Sequence, residues 1–571
     1  MRLIFDIESN GLLDEMTKIH CIGIKDIDTN ECSWFTPDNV TEGINCLEKA
    51  DEIIGHNVVG FDIPAIQKLF PNFKPKKAID TLVLGRLAFP NLKDKDFVQR
   101  PLNLDTKLYG RHSLEAWGQR LGNNKAEYSG GWENYSDEML EYMKQDVEVT
   151  HQLYEYLINT PMAATSVILE HEIAAVCKDI ETTGFHFDTI KAASLYSKLS
   201  ARRKEIKDEM ESTFDPNVTV LKTKTKYTPF NPGSRKQIAD RLTQKYNWKP
   251  KVFTQSGQAQ IDETILSELK YPEAQLLAEY FLLDKRIGMV AEGNQGYLKL
   301  VDKNSKLRGR YIPNGAVSGR ATHFAPNMAQ VPSSRLPYGS EIRECFTVPS
   351  SFVLVGSDMS GLELRCLAHY LAKWDNGAYA KKVLDDDIHT VNQKAAQLPT
   401  RDDAKRFIYS LIYGAGDQKL GEVIGKGRDA GREIRDKFFN AIPAIKSLRT
   451  AVEKKLNHTG YLLGLDGRRL YPRSSHSAVN VLLQSAGALL AKRWLIIARN
   501  DLDKEYKYGW NGDYTLSAWV HDEVQLACRK EIAEDVGNKL TRAAQKAGES
   551  FDFRCRIDAE FNIGDSWATT H

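Results

Sequence analysis

The sequence predicts a multidomain protein of mixed α/β and α+β class, and three observations carry that expectation. The chain has 571 residues, which at roughly 150 per unit suggests about three to four folding units. Its first 90 residues alternate short apolar runs with loops, an α/β pattern. From residue 190 onward, long helical stretches give way to single strands set among helices and Gly-rich turns.

Arg2–Ile7, Ile19–Ile24 and Glu52–Gly55 read as strands, the last followed by an Asn- and Gly-containing loop. Ser136–Leu157 reads as a helix with Ser136 as N-cap and Asp137 and Glu138 in its first turn. Asn159-Thr160-Pro161 breaks the pattern and sets the first domain boundary. Ile190–Ser212 is helical in pattern, 213–233 is basic, Pro-containing and loop-like, and helices are expected over Gln237–Tyr246 and Ile261–Gly288. A strand is expected at Phe352–Ser357, a strand pair around Leu516–Ala527 and a helix over 531–549. No internal repeat is evident.

Hydrophobic residues make up 42% and charged residues 27%, values that exclude disordered and low-complexity classes. Lys+Arg 77 against Asp+Glu 76 leaves +1, so a uniformly basic binder is excluded, while local charge segregation leaves room for a nucleic-acid partner. The apolar stretch Leu482–Ala498 is interrupted by Gln484, Lys492 and Arg493, short of the ~20 apolar residues of a membrane span. Asp6 and Glu8 interrupt any signal-peptide core. Eight scattered cysteines without a CxxC read as reduced thiols of an intracellular protein with no zinc site.

Asp6 and Glu8 stand at i and i+2 on a predicted strand and so share one face. Two carboxylates on one face repel unless water or a cation lies between them; the pair fits a divalent-metal site and also a solvated surface. Asp62 follows Phe61 at a loop-to-helix junction, which also suits a helix N-terminus. Tyr142 and Asp146, at i and i+4, bring a phenol and a carboxylate to one helix face. In the second half, Asp358 ends the strand from Phe352, and Glu363 lies on the first turn of the helix Leu362–Tyr370. Asp522 and Glu523 sit in the turn of the candidate hairpin. Thr400 N-caps a helix that Gly414 ends, and within it Arg401, Lys405, Tyr409 and Tyr413 recur every four residues, drifting only about 40° per step. Buried stripes seldom hold both Arg and Lys. Cations at one end and rings at the other suit a nucleoside triphosphate.

Taken in order, Asp6-x-Glu8, Asn57-x-x-x-Phe61-Asp62 and Tyr142-x-x-x-Asp146 resemble the three exonuclease motifs of the DEDD superfamily, DEDDy subclass; Asp80-Thr81-Leu82 is similar to the segment between the second and third. Arg401-x-x-x-Lys405-x-x-x-Tyr409-x-x-x-Tyr413-Gly414 resembles motif B of family A DNA polymerases. Asp358-Met359-Ser360-Gly361-Leu362-Glu363 resembles motif A and Val520-His521-Asp522-Glu523 resembles motif C. The run Ser318-Gly319-Arg320 through Asn327 and Gln330 resembles a palm segment of the family. The likeness covers the whole chain and is strongest to the podovirus replicative branch.

The resemblance implies an RNase H-like exonuclease domain over 1–160 and a right-hand polymerase domain over 161–571. The thumb would span about 190–290, the fingers about 370–475, and the palm the remainder. Asp6, Glu8, Asp62 and Asp146 would hold two Mg²⁺ about 4 Å apart, with Tyr142 orienting the attacking water. Asp358, Met359 and Asp522 would hold two more, Mn²⁺ being the alternative ion. His389, Arg401 and Lys405 would bind the triphosphate, and Lys405 would also protonate pyrophosphate. Tyr409 would pack by the incoming sugar and, as a Tyr rather than Phe, favour dideoxynucleotide incorporation. Glu363 with Tyr409 would exclude a 2′-hydroxyl, and Tyr413 would meet the template base. Arg320, Asn480, Gln484 and His521 would contact primer–template DNA through the minor groove or backbone.

The implied activity is template-directed DNA synthesis with 3′–5′ proofreading in phage replication, in the host cytoplasm, with a helicase-primase as the expected partner and no membrane. Thioredoxin binding is not expected, because a long thumb insertion of a podovirus relative is replaced by the short stretch from Phe214 to Phe230. Its Lys222, Lys224 and Lys226 fit either a DNA-backbone contact or a solvated loop. No 5′-nuclease domain is expected ahead of the first motif. A nuclease with a degenerate polymerase half and a non-catalytic DNA binder are the rival readings. Against both stand the intact carboxylate clusters, which cost affinity in a DNA cleft unless cations fill them.

Overall fold

The computed structural model describes residues 1–220 and 223–571. It has two compact units. One comprises Met1–Thr182, Arg310–His323 and Val355–Asn562, and the other Thr183–Gly309, Phe324–Leu354 and Ile563–His571.

The first unit begins with a five-stranded sheet of β1 (Arg2–Ser9), β2 (Ile19–Asp26), β3 (Cys32–Phe35), β4 (Glu52–Gly55) and β5 (Ala78–Asp80) in the order β3-β2-β1-β4-β5. β1 and β2 pair antiparallel, whereas β1–β4 and β4–β5 are parallel. Both faces of β1 are covered, so it reads as an almost continuous apolar run. Leu3, Phe5 and Ile7 enter a core with Ile22, Ile44 and Ile53. Ile4 enters another with Leu84, Val147 and Leu153. Burying one such side chain contributes about 1.5–3 kcal/mol. Asp6 and Glu8 continue the Ile4 face, the one covered by the helix Asp137–Ile158. Ser136 caps that helix by accepting from the Met139 amide at 3.2 Å.

Further along the same unit lies most of a four-stranded sheet in the order Tyr514–Val520, Glu523–Arg529, Phe352–Met359, Ala559–Gly564. The first two form an antiparallel hairpin closed by the Val520–Glu523 pair, leaving His521-Asp522 as a two-residue turn. His521 adopts the left-handed conformation, φ 58°, that such turns require. Glu523, expected in the turn, is instead the first strand residue. It is buried and accepts from Gln525 Nε2 at 2.8 Å, because the pleat turns it inward.

The helix Ser475–Leu502 has 28 residues and is long and apolar enough to cross a membrane by composition, contrary to the expectation from its interruptions. Its most apolar window is 83% buried within the fold. Lys492, 0% exposed on this helix, pairs with Glu170 Oε1 at 2.5 Å, and Arg468 bridges the same oxygen to Asp466. The interrupting lysine is therefore half of a buried ion pair.

The second unit contains the helices Thr189–Thr213 and Pro272–Ile287. Two expectations are corrected here. The stretch 213–233 is not a plain loop but carries the antiparallel hairpin Asn217–Val220 and Thr225–Thr228, closed at its base by the buried rings of Phe214 and Phe230 at 4.7 Å. Lys224 and Lys226 on it are exposed, and Lys222 lies outside the described residues. The single helix expected over Ile261–Gly288 is two, Glu263–Glu268 and Pro272–Ile287. Pro272 cannot continue a helix but readily opens one.

Candidate active sites

In the N-terminal domain, Asp6, Glu8 and Asp146 converge, each presenting an oxygen within 4.8 Å of the others. Asp62 opens the helix Asp62–Leu69 and accepts from the Ile7 amide at 3.3 Å, which ties it to the backbone between Asp6 and Glu8. Asp80 orders the loop before it, accepting from the amides of Asn57 at 2.8 Å and Val59 at 3.0 Å. Burial, then repulsion from Glu8, Asp62 and Asp146, lifts the Asp6 carboxyl well above the usual range. Burial, with Asp146 adding, pushes Glu8 up to about 8. Burial pushes Asp62 to about 7 and Asp146 to about 6. One Asp146 oxygen, Oδ1, is buried with no hydrogen-bond partner. Crowded, under-neutralised oxygens with an orphan among them are a donor set that fits hard divalent cations.

Tyr142 lies one turn before Asp146 and lines the same cavity, of about 1240 Å³, with Arg86, Lys93, Arg111, Lys125, Tyr128 and Trp132. Lys125 has no signal in the sequence. It comes from an irregular stretch, yet its Nζ is 2.5 Å from Asp146 Oδ2 and 4.5 Å from the centre of the Tyr142 ring. Only folding the 123–132 loop over the helix reveals it.

In the second site, Asp358 and Met359 end one strand, and Asp522 is the second residue of the turn that leads into its neighbour. The Met359 amide donates to the Asp522 carbonyl at 2.9 Å and holds the two tips together. Burial, then the nearby Glu363 and Asp358 carboxylates, pushes Asp522 up to about 7. Glu363, Arg320, His521 and Asp522 line one small pocket. Glu363 Oε1 accepts from the Tyr413 hydroxyl at 3.1 Å and lies 3.8 Å from Arg320 Nη2. Asn480 Nδ2 donates to the Tyr413 carbonyl at 3.4 Å; Gln484, one turn further on the same helix, is half-buried.

The helix Arg401–Ile412 forms as expected, with Thr400 Oγ1 accepting from the Asp403 amide at 3.0 Å. Tyr409 is half-buried, its ring 6.1 Å from that of His389, and burial pushes its hydroxyl up to about 12. Lys405 is exposed. Arg401 is not open to solvent on all sides: Asp387 binds its guanidinium in a two-bonded fork, at 2.6 and 3.0 Å. The Arg401 hydrogen bonds, then that of Thr390, hold the Asp387 carboxyl well below the ordinary range. Asp387 is a functional candidate that the four-residue stripe alone did not reveal, since it sits fourteen residues away on another helix cap.

The model of DNA polymerase family A matches residues 197–569, and that of the RNase_H superfamily matches residues 3–158. The chain is 36% identical to the DNA-directed DNA polymerase of Escherichia phage T7 over 704 aligned residues, covering 100% of both. It is 26% identical to DNA polymerase I of Aquifex aeolicus over 90% of this chain and 88% of the relative. The POL domain of Pol1 from M. smegmatis, solved in complex with DNA primer-template and dNTP, covers 99% of this chain and 96% of its own at TM-score 0.78 and 16% identity, a likeness of fold.

Proposed function

The chain belongs to DNA polymerase family A and carries an RNase H-like domain, and from that membership we propose how its two carboxylate sites divide the work. The C-terminal site extends a primer on a DNA template. The N-terminal site removes nucleotides from the 3′ end, as a proofreader in viral replication in the host cytoplasm. The exonuclease domain is residues 1–160 and the polymerase domain 161–571, with the thumb at about 190–290 and the fingers at about 370–475. The observation that supports this reading most is the Met359–Asp522 backbone bond, which joins two carboxylate-bearing strand tips beside the Glu363–Tyr413 pair.

Asp358, Met359 and Asp522 would hold Mg²⁺ in the polymerase site, and Asp6, Glu8, Asp62 and Asp146 would hold it in the nuclease site, two ions in each. When bound, such ions lower the pKa of the attacking hydroxyl or water and stabilise the leaving oxygen. The protein supplies the rest. Arg401, Lys405 and His389 bind the triphosphate, and Lys405 gives a proton to pyrophosphate. Tyr409 packs on the incoming sugar, and Glu363 blocks a 2′-hydroxyl. Tyr413 meets the template base, while Arg320, Asn480, Gln484 and His521 hold the primer–template. Tyr142 orients the hydrolytic water.

Primer–template and deoxynucleotides are the substrates, and a helicase-primase is the expected partner. Thioredoxin is not, because the segment Phe214–Phe230 is a short hairpin, and the alignment to the phage T7 polymerase runs over 704 positions where this chain has 571 residues.

A 5′-labelled primer on a longer template, incubated with Mg²⁺, tests both sites. Lengthening with deoxynucleotides and shortening without them support the reading. Shortening in both lanes overturns the polymerase assignment; an unchanged primer without nucleotides overturns the nuclease assignment. EDTA should abolish both reactions and leave most DNA binding intact.

A further inference from the structure

Resting on the reading of the N-terminal cluster as a metal-dependent nuclease site, we propose that Lys125 is an internal counter-ion that competes with a divalent cation for Asp146. A cation that takes both Asp146 oxygens requires the Lys125 side chain to leave. Its Nζ is 2.5 Å from Asp146 Oδ2, with the Lys125 side chain 25% exposed and that of Asp146 4% exposed. Asp146 is one of the three residues with an oxygen within 4.8 Å of the others; the ammonium holds its Oδ2 and leaves Oδ1 without a hydrogen-bond partner. One positive charge stands against the carboxylates of Asp6, Glu8, Asp62 and Asp146, whereas two divalent ions would balance them. The cluster is thus held together without metal but remains short of neutrality.

The surrounding contacts hold the backbone and leave the side chain as the part that moves. Gln145 Nε2 donates to Asn123 Oδ1 at 2.7 Å and to the Asn124 carbonyl at 2.8 Å, fixing the two residues before Lys125. The Trp132 carbonyl lies 2.9 Å from His20 Nε2, and the Tyr128 and Trp132 rings pack 5.5 and 6.1 Å from that of Tyr142. The loop is tied at both ends of this stretch. Four flexible methylenes let the ammonium swing into the adjoining cavity, whose Arg86, Lys93 and Arg111 already favour a phosphate-bearing strand. Cation entry at Asp146 and release of Lys125 towards substrate phosphate are then one exchange.

Mn²⁺ binding followed by electron paramagnetic resonance reads this without catalysis. The full-length chain carrying Asp358→Ala and Asp522→Ala serves as parent, so that the signal comes from the N-terminal site. Adding Lys125→Met should tighten Mn²⁺ binding about tenfold, the equivalent of losing one modest ionic competitor. Lys125→Arg keeps the charge and should stay within about threefold of the parent. Unchanged or weaker Mn²⁺ binding in Lys125→Met overturns the proposal. Adding Asp6→Ala with Glu8→Ala to the parent should remove the bound Mn²⁺; if it does not, the metal reading of the site fails and the Lys125 proposal with it. Loss in that variant together with unaltered affinity in Lys125→Met sinks the Lys125 proposal alone.

Discussion

The Tyr413 hydroxyl donates a 3.1 Å hydrogen bond to Glu363 Oε1 across fifty residues of sequence. Tyr413 ends the helix Arg401–Ile412, and Glu363 lies on the first turn after the Asp358 strand. The bond links the helix that carries the cationic stripe to the carboxylate-bearing sheet, and Arg320 lies against the same carboxylate at 3.8 Å.

Removing that carboxylate should open the space beside the incoming sugar and free the Tyr413 ring. Glu363→Ala is expected to lower discrimination against ribonucleotides by about 10- to 100-fold, the range that single steric and polar contacts supply. Single-nucleotide insertion with matched deoxy- and ribonucleotides measures it. A ratio equal to wild type would refute the assigned role.

With Tyr409 beside the incoming sugar as proposed, its hydroxyl would stand in for the one that a dideoxynucleotide lacks. Tyr409→Phe should therefore reduce dideoxynucleotide incorporation by about tenfold or more relative to the deoxynucleotide, a single hydrogen bond's worth or somewhat above it. Chain-termination band intensities report the ratio, and unchanged termination would dispose of the idea.

The crowded carboxylates of the nuclease site set a pH dependence for the metal-free protein. Glu8, Asp62 and Asp146 are pushed up to about 8, 7 and 6, and Asp6 is lifted well above its ordinary range, chiefly by burial. The folded state therefore binds more protons than the unfolded one between about pH 4 and 8. Its stability is fullest below the unfolded carboxylate range and declines as pH rises through the folded values. In EDTA, Asp6→Asn should raise the melting temperature at pH 8 by roughly 2 °C or more, and the gain should shrink towards pH 5. A melting temperature lowered by Asp6→Asn at pH 8 would contradict the sign.

The buried Glu170–Lys492–Arg468–Asp466 group should be costly to break from either side. Lys492→Met leaves Arg468 to hold Glu170 and should destabilise by about 3 kcal/mol. Glu170→Ala strands the buried Lys492 ammonium, leaves Arg468 only the Asp466 carboxylate, and should cost towards about 5 kcal/mol. Thermal melting should rank wild type above Lys492→Met and Lys492→Met above Glu170→Ala; the reverse order would show that Arg468 and Asp466 suffice as a pair.

Much of this architecture is legible from local pattern. β4 is found at the expected residues Glu52–Gly55, and Ser136 and Thr400 cap their helices as their types suggest. Capping and strand alternation depend on near neighbours, so the chain order contains the information. The errors have local causes of another kind. Pro272 divides an otherwise helical run, and the Phe214–Phe230 contact converts a basic loop into a hairpin. Lys492 was legible only as an interruption, because its partner Glu170 lies 322 positions away.

By itself the sequence determined which residues carry charge and rings at strand tips and helix turns, since spacing along one element sets the face a side chain occupies. Folding alone decided what meets across elements. It set Lys125 on Asp146, Asp387 on Arg401, and Tyr413 on Glu363. Electrostatic and hydrogen-bonded contacts act over a few ångströms of space, and only packing brings residues from distant segments within that reach.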